Sequence, residues 1–526
     1  MHRINLKFIT ALCGLTATVS ITDGCGDSSG TSATASQTGT TTTLGTTGAT
    51  DATPTTSTTI GESESATATS TTTGGSVSES VSGTSTGSPT SGLTGSSTTG
   101  GVLETSSGTT DPSTSTTGAD TSTGADTTTG ENVCGGFKAL DFSYIWIANS
   151  QQSTLSKIDT QTRVELGRYA TNPIPNNNPI GGPSRTSVSV LGDVVVADRR
   201  GYLVKFHALE DRCTDKNNNG KIDTSTSAVP LAYGQDECLA WSVQLKSAVM
   251  QNPNGVQPGP RVAQWTSPSE CNGDDSNVWV GWCDELKKGR VQLHNGKDGA
   301  MLHTYDLGLV CDSAVYGPYG GVVDDVNDLW VFSRLAKGNF LYRVSYGCDP
   351  NKDVCITKVA VPNDALYYGI NMAADGAIWL TGYPDRLVKY DPMVMGWSDY
   401  STELNAALPG DNLLRGLVVD EAGIVWIALG NHQVQAVANP RLIRVDPNMK
   451  PPMIQTWGPE TIKELLNPVG MSLDVEGYLW MVDSAANKAY KIDRANPASY
   501  TVVSGLVTPY TYSDMTGYAL SLVVPQ

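Results

Sequence analysis

The stretch with the most explicit chemistry is DKNNNGKID. Asp215, Asn217 and Asn219 alternate along it, Gly220 supplies a sharp turn, the backbone carbonyl of Lys221 follows, and Asp223 comes two residues later. Calcium is a hard cation that takes six or more oxygens, and this spacing wraps oxygens around one point. The stretch therefore predicts a calcium site whose role is to order a long insertion, not to catalyse. Asp236 or Glu237, drawn in by a bridge between Cys213 and Cys238, would supply a further ligand.

A second group of side chains acquires meaning only from its place in a repeat. GGVVDDVNDLWVFS, GINMAADGAIWLTG, GLVVDEAGIVWIA and GMSLDVEGYLWMVDS are versions of one sentence: a short strand, a tight turn and a strand centred on Trp. Counting variants, the central positions are 146, 195, 279, 330, 379, 426 and 480. Apart from one long interval after 195, the spacing is roughly 50 residues, as expected of a propeller blade. Each unit reads as four antiparallel strands, and one such sheet cannot bury both faces alone. The fold class is therefore all-β: a seven-bladed β-propeller. The first unit lacks an inner strand, and Met515 to Val524 align with the inner strands of the others. The C-terminal segment is thus expected to complete the first blade and close the ring.

The recurring Trp residues are read as packing between blades. Function must come from what differs between copies. Asn149, Asp198 and Asp483 end the central strands of the first, second and seventh blades, which become neighbours on closure. Their oxygens could hold a divalent cation at the mouth, or could cap loops by bonding backbone amides. Arg185, Arg334 and Arg415, with Tyr319, Tyr367 and Tyr368, predict a polar, aromatic mouth suited to a glycan or peptide. His432 is the only His near such a strand end and reads as a loop residue. There is no phosphate-cradling loop, nucleophile elbow or zinc-spaced Cys/His set.

These residues carry resemblances. PYGGVVDDVNDLWV, with LSKIDTQT, LVKYDP and LIRVDP on outer strands, resembles the repeat of virginiamycin B lyase-type propellers over nearly all of 143–526. The resemblance implies the ring. It does not imply the lyase chemistry, which in that family uses a Glu closing the Trp strand and a His before an inner-strand Gly. Here the strand ends are Asn149, Asp198, Trp282, Ser333, Gly382, Leu429 and Asp483, and Tyr319, Tyr368, Arg415, Val469 and Thr516 precede the Gly. A cation held by neighbouring blades would resemble gluconolactonase-like propellers. DKNNNGKID is similar to EF-hand and dockerin loops, with Thr226 where an EF-hand has its bidentate Glu.

The rest of the chain sets the compartment. His2, Arg3 and Lys7 precede a mostly apolar run, Phe8 to Ile21, so residues 1–24 read as an export signal. Gly24-Cys25 predicts lipidation of Cys25, although Thr22 and Asp23 depart from the usual lipobox. Residues 25–132 are a Ser/Thr/Gly-rich stalk expected to be disordered. The net charge is −18, and ten of those charges are stalk acids, so the acidity says little about the folded part. Nothing resembles a nucleic-acid-binding stripe. The propeller then occupies 133–526, with an insertion at about 207–275.

Eight of the ten cysteines lie in 133–526, an even number that fits an oxidising compartment. Sequence alone leaves their pairing open. Cys348–Cys355 and Cys271–Cys283 are the local choices, Cys213–Cys238 would staple the insertion, and Cys134–Cys311 remain. The arrangement resembles myxobacterial envelope lipoproteins. The expected role is a monomeric binding or scaffold module at the cell envelope, outer-membrane-anchored or secreted, for a glycan, peptide or protein. The alternative is a metal-dependent lyase or lactonase-like enzyme at the mouth.

Overall fold

The computed structural model describes residues 142–174, 182–247, 259–269, 275–311, 317–335, 337–408, 410, 412–431 and 435–523. All belong to one compact unit. The strands form seven antiparallel sheets in chain order: 144–170, 183–244, 262–310, 317–360, 366–399, 413–457 and 468–504, hereafter blades 1 to 7. Blade 6 shows the pattern, with strands Leu413–Val419, Val425–Gly430, Arg441–Asp446 and Met453–Trp457. The expected seven-bladed propeller is what the chain builds.

The repeat has a local physical logic. In blade 6 the Asp420 carboxylate accepts the amides of Ala422 and Ile424, and its other oxygen accepts the Trp426 indole at 3.0 Å. Asp324 with Trp330 and Asp474 with Trp480 repeat the bond at 2.9 Å. In these three blades one acid six residues before the Trp thus fixes both the hairpin turn and the indole. The central Trp residues are buried between sheets, as expected.

The inner-strand glycine of blades 4 to 7 answers to crowding at the axis. A Cβ on Gly470 would sit 1.7 Å from the Thr511 carbonyl oxygen, and one on Gly369 would sit 2.3 Å from that of Arg415. The residue before this glycine is where the inner-strand register slips, at Tyr319 in blade 4 and Tyr368 in blade 5. Blade 6 slips over Arg415 and Gly416. A bulge re-aims its side chain, and these three are turned to the axis.

The ring closes as predicted on blade 1, through contacts displaced along the chain. Blade 1 has three regular strands, and its first, Tyr144–Asn149, is lined by residues 508–515. Tyr510 N donates to the Ala148 carbonyl at 2.9 Å, Trp146 N to that of Met515 at 2.9 Å, and Ala148 N to the Thr511 hydroxyl at 2.7 Å. The Thr511 side chain replaces a carbonyl, so the ladder is irregular. The aligned stretch itself turns into a short helix, Tyr518–Ser521. Ile145, Ile147, Trp480, Val482 and Met515 share one apolar cluster that joins blade 7 to blade 1.

Two boundaries change. Leu239–Gln244 is the outer strand of blade 2 and Val262–Trp265 the inner strand of blade 3, so the range 207–275 contains blade strands besides inserted chain. Cys213–Cys238 and Cys348–Cys355 are bonded as expected. Cys283, however, bonds Cys311, not Cys271. Cys283 ends the central strand of blade 3 and Cys311 follows its outer strand, and folding the blade brings these ends to a Cα separation of 6.2 Å. Cys134 therefore does not pair with Cys311. Cys25, Cys134, Cys271, His432, the export signal and the stalk lie outside the described residues.

Candidate functional site: an arginine and tyrosine cluster on the axis

Five arginines converge where the inner strands meet: Arg185, Arg199, Arg261, Arg334 and Arg415, each at most 4% exposed. They surround Tyr319, Tyr368, Tyr510 and Tyr512. The Tyr368 ring lies 4.9 Å from that of Tyr512 and 5.4 Å from that of Tyr319, and Tyr510 lies 5.4 Å from Tyr512. Three guanidinium groups crowd the Tyr319 ring: Arg185 at 5.4 Å, Arg261 at 5.0 Å and Arg334 at 5.1 Å.

Each side chain is placed by its strand. Arg185 takes the inner-strand position that is glycine in blades 4 to 7, and its side chain crosses the axis. It donates to the carbonyls of Tyr512 at 2.9 Å, Tyr319 at 2.9 Å and Tyr368 at 3.2 Å, tying blade 2 to blades 4 and 5 and to the closing segment. Arg415 donates to the Tyr368 hydroxyl at 2.8 Å and to Asn467 at 3.3 Å. Tyr368 and Tyr510 are bonded through their hydroxyls.

The electrostatics are one-sided. Among the described residues, no carboxylate forms an ion pair with Arg185, Arg199 or Arg415. Arg185 Nε, Arg199 Nη2 and Arg415 Nε are buried without a hydrogen-bond acceptor. Burial, then the neighbouring charge of Arg261, push Arg199 below its ordinary pKa. Burial would raise Tyr512, yet Arg185 and Arg261, with the Tyr319 hydrogen bond and Arg199, outweigh it and pull the phenol down to about 7. Buried charge of one sign is costly, and an anion is the natural complement.

The sequence identified Arg185, Arg334, Arg415, Tyr319 and Tyr368 for this group. Tyr367 does not join it: its hydroxyl donates to the Pro362 carbonyl at 3.1 Å. Arg199, Arg261, Tyr510 and Tyr512 went unseen, because they lie on strand ends and on the closing segment, outside the repeat motif.

The strand-end residues are committed elsewhere. Asn149 donates to Ser156 at 2.7 Å and accepts from Val507 N at 2.8 Å. Asp198 accepts from Thr171 at 2.6 Å, Asn172 at 2.7 Å and Arg200 N at 2.9 Å. Asp483 accepts the amides of Leu466, Asn467, Ala485 and Ala486. Burial raises both carboxyls, and these bonds partly offset it. Asp198 and Asp483 anchor nearby chain and Asn149 also ties down Val507, which is the capping role. Among the described residues, no group of three or more His, Cys, Asp or Glu is placed to hold a metal ion.

In the insertion, residues 215–223 form a succession of turns around their own side chains. Asp215 accepts the amides of Asn219 and Gly220, Asn217 that of Asn219, and Asn219 that of Lys221. Asn217 and Asn219 both reach Asp223, at 2.8 and 2.7 Å. Glu237 serves the loop differently from expectation: its buried carboxylate accepts the amides of Lys216, Asn217 and Asp223. Asp236 likewise accepts from Thr224, Ser225 N and Cys238 N. The two acids grip the loop's backbone from the return arm that the Cys213–Cys238 bond holds in place.

No family model matches the chain, and no curated protein matches it. Solved structures give a weak likeness. A streptogramin B lyase aligns at 16% identity and a TM-score of 0.40, covering 64% of this chain and 86% of that one. Virginiamycin B lyase from Staphylococcus aureus aligns at 15% and 0.39, covering 64% and 89%. A protein from Lactobacillus plantarum aligns at 12% and 0.43, covering 70% and 98%. The fold assignment rests on the strand pairing, which defines a seven-bladed propeller.

Proposed function

We propose that this chain is an exported envelope protein whose propeller binds an acidic ligand, a glycan or peptide bearing carboxylate or similar groups, at the axial cluster. The observation that carries this reading is the set of five buried arginines around four tyrosines, with N–H groups of Arg185, Arg199 and Arg415 lacking acceptors. Arginine forks match oxyanions geometrically, and tyrosine rings offer flat surfaces for a sugar or side chain.

Two further parts complete the reading. Asp215, Asn217, Asn219, the Lys221 carbonyl and Asp223 supply the oxygens for a structural calcium ion that holds the insertion in shape. Lipid on Cys25, with residues 25–132 as a tether, places the propeller at the cell envelope. A glycan and peptide array with the full chain tests the reading. Acidic members should dominate the hits and weaken about tenfold or more with R415Q. Hits without acidic preference would contradict it.

A further inference from the structure

A second cleft lies on blades 2 and 3, away from the axial residues, with a volume of about 480 Å³. Four Lys or Arg side chains line it against two carboxylates, with Trp265 forming one wall. Two of its lining residues carry a deeply buried polar atom without a partner: Trp265 Nε1, on a residue 2% exposed, and Ser276 Oγ, on one 3% exposed. An indole N–H can only donate, and a hydroxyl can donate, so both call for an acceptor. Lys205 stands beside them, its ammonium 5.3 Å from the Trp265 ring centroid, 3.1 Å from the Gly296 carbonyl and paired with the Asp193 carboxylate at 3.2 Å.

The opposite wall belongs to the insertion. Lys216, next to Asp215, lines the cleft and is pinned by the carbonyls of Leu239 at 2.6 Å and Asp236 at 3.3 Å. Glu237, which holds the amides of the 215–223 loop, lines it too. The shape of the cleft is therefore tied to the conformation of that loop.

We infer that this cleft binds a small oxyanion, a carboxylate, sulfate or phosphate group, and that calcium in the 215–223 loop sets its affinity. The oxyanion accepts from Trp265 Nε1 and Ser276 Oγ and faces the ammonium of Lys205. The coupling rests on the calcium site proposed above. Without the ion the loop loosens, and Lys216 and Glu237 leave their places.

The test is calorimetric titration of the full, disulfide-bonded chain with sodium sulfate and with N-acetylglucosamine 6-sulfate. Each is run calcium-loaded and after chelation, on wild type, W265F and S276A, with calcium binding titrated separately. W265F and S276A should each weaken binding of at least one probe by about fivefold or more. Chelation should do the same. A preference for the sugar sulfate assigns the group to a glycan, and a preference for sulfate assigns it to a free ion. Absence of binding by either probe, or wild-type affinity in both variants, overturns the cleft. Affinity unchanged by chelation in a chain that does bind calcium overturns the coupling alone. Failure to bind calcium removes the loop reading and the coupling, while the two variants still decide the cleft.

Discussion

The Arg185 guanidinium lies 3.6 Å from the centroid of the Tyr512 ring, joining blade 2 to the segment that closes blade 1. That relationship makes structure and recognition inseparable at the axis. Arg185 holds blades together through three carbonyls, and the same charge helps bring the Tyr512 phenol down to about 7. Below that pH the phenol is neutral and the cluster keeps its full positive charge. Above it, a phenolate competes with an acidic ligand for the same cations. Affinity for acidic array members should therefore fall as pH rises from 6 to 8.5, on the order of tenfold. Y512F should abolish the dependence. Affinity that is level in wild type, or rises with pH, would contradict the assignment.

Asp514 gives a separate pH signature. Burial raises its carboxyl to about 6, even though the amides of Thr516 and Gly517 bond it. A raised folded pKa means that the native state holds a proton the unfolded state has lost. The contribution to stability is complete below about 4 and is lost as pH rises through 6. Asn cannot ionise and keeps the acceptor oxygen. D514N should match wild type near pH 4 and exceed it by about 3 kcal/mol at pH 7 in denaturant unfolding. A difference that does not change with pH would show that the carboxyl is not held protonated.

The disulfides should rank by the loops they close. Cys283–Cys311 spans 28 residues and Cys348–Cys355 spans 7. Chain entropy alone assigns them about 3.6 and 2.4 kcal/mol. C283S/C311S should thus cost more in denaturant unfolding than C348S/C355S. The reverse order would mean that native packing around these pairs, not the unfolded chain, decides their worth.

The acid six residues before Trp330, Trp426 and Trp480 should matter for the fold without affecting recognition. D420A leaves the Trp426 indole and two turn amides without their acceptor, at a cost of about 1–3 kcal/mol. Thermal unfolding should show the loss, while array binding at 20 °C stays at wild-type level.

The repeat was legible in the sequence because Trp, Gly and turn residues recur at fixed spacing, and each has a local cause. Asp420 fixes its own turn and indole, and Gly470 lets the closing segment approach. The cysteine pairing was not legible: Cys283 finds Cys311 only once the blade is folded. The axial site was half visible. Tyr319, Tyr368 and Arg415 stand at a repeated motif position, so alignment of the copies exposes them. Arg199 and Arg261 flank strands of weaker pattern. Tyr510 and Tyr512 belong to a segment whose irregular pairing, with Thr511 supplying a side-chain acceptor, leaves no periodic trace. The capping of Asp198 and Asp483 was foreseen as one of two roles, because a carboxylate at a strand end suits backbone amides and a cation equally well.

The central claim is that the buried arginines exist to meet negative charge. It is tested most directly by titrating the full chain with the acidic oligosaccharides of the array and with the same oligosaccharides after reduction of their carboxyl groups to alcohols. The account predicts that the acidic forms bind, that reduction weakens binding about tenfold or more, and that R199Q or R415Q erases most of the difference. Equal affinity for the acidic and reduced forms, or an acid preference untouched by either substitution, would contradict it.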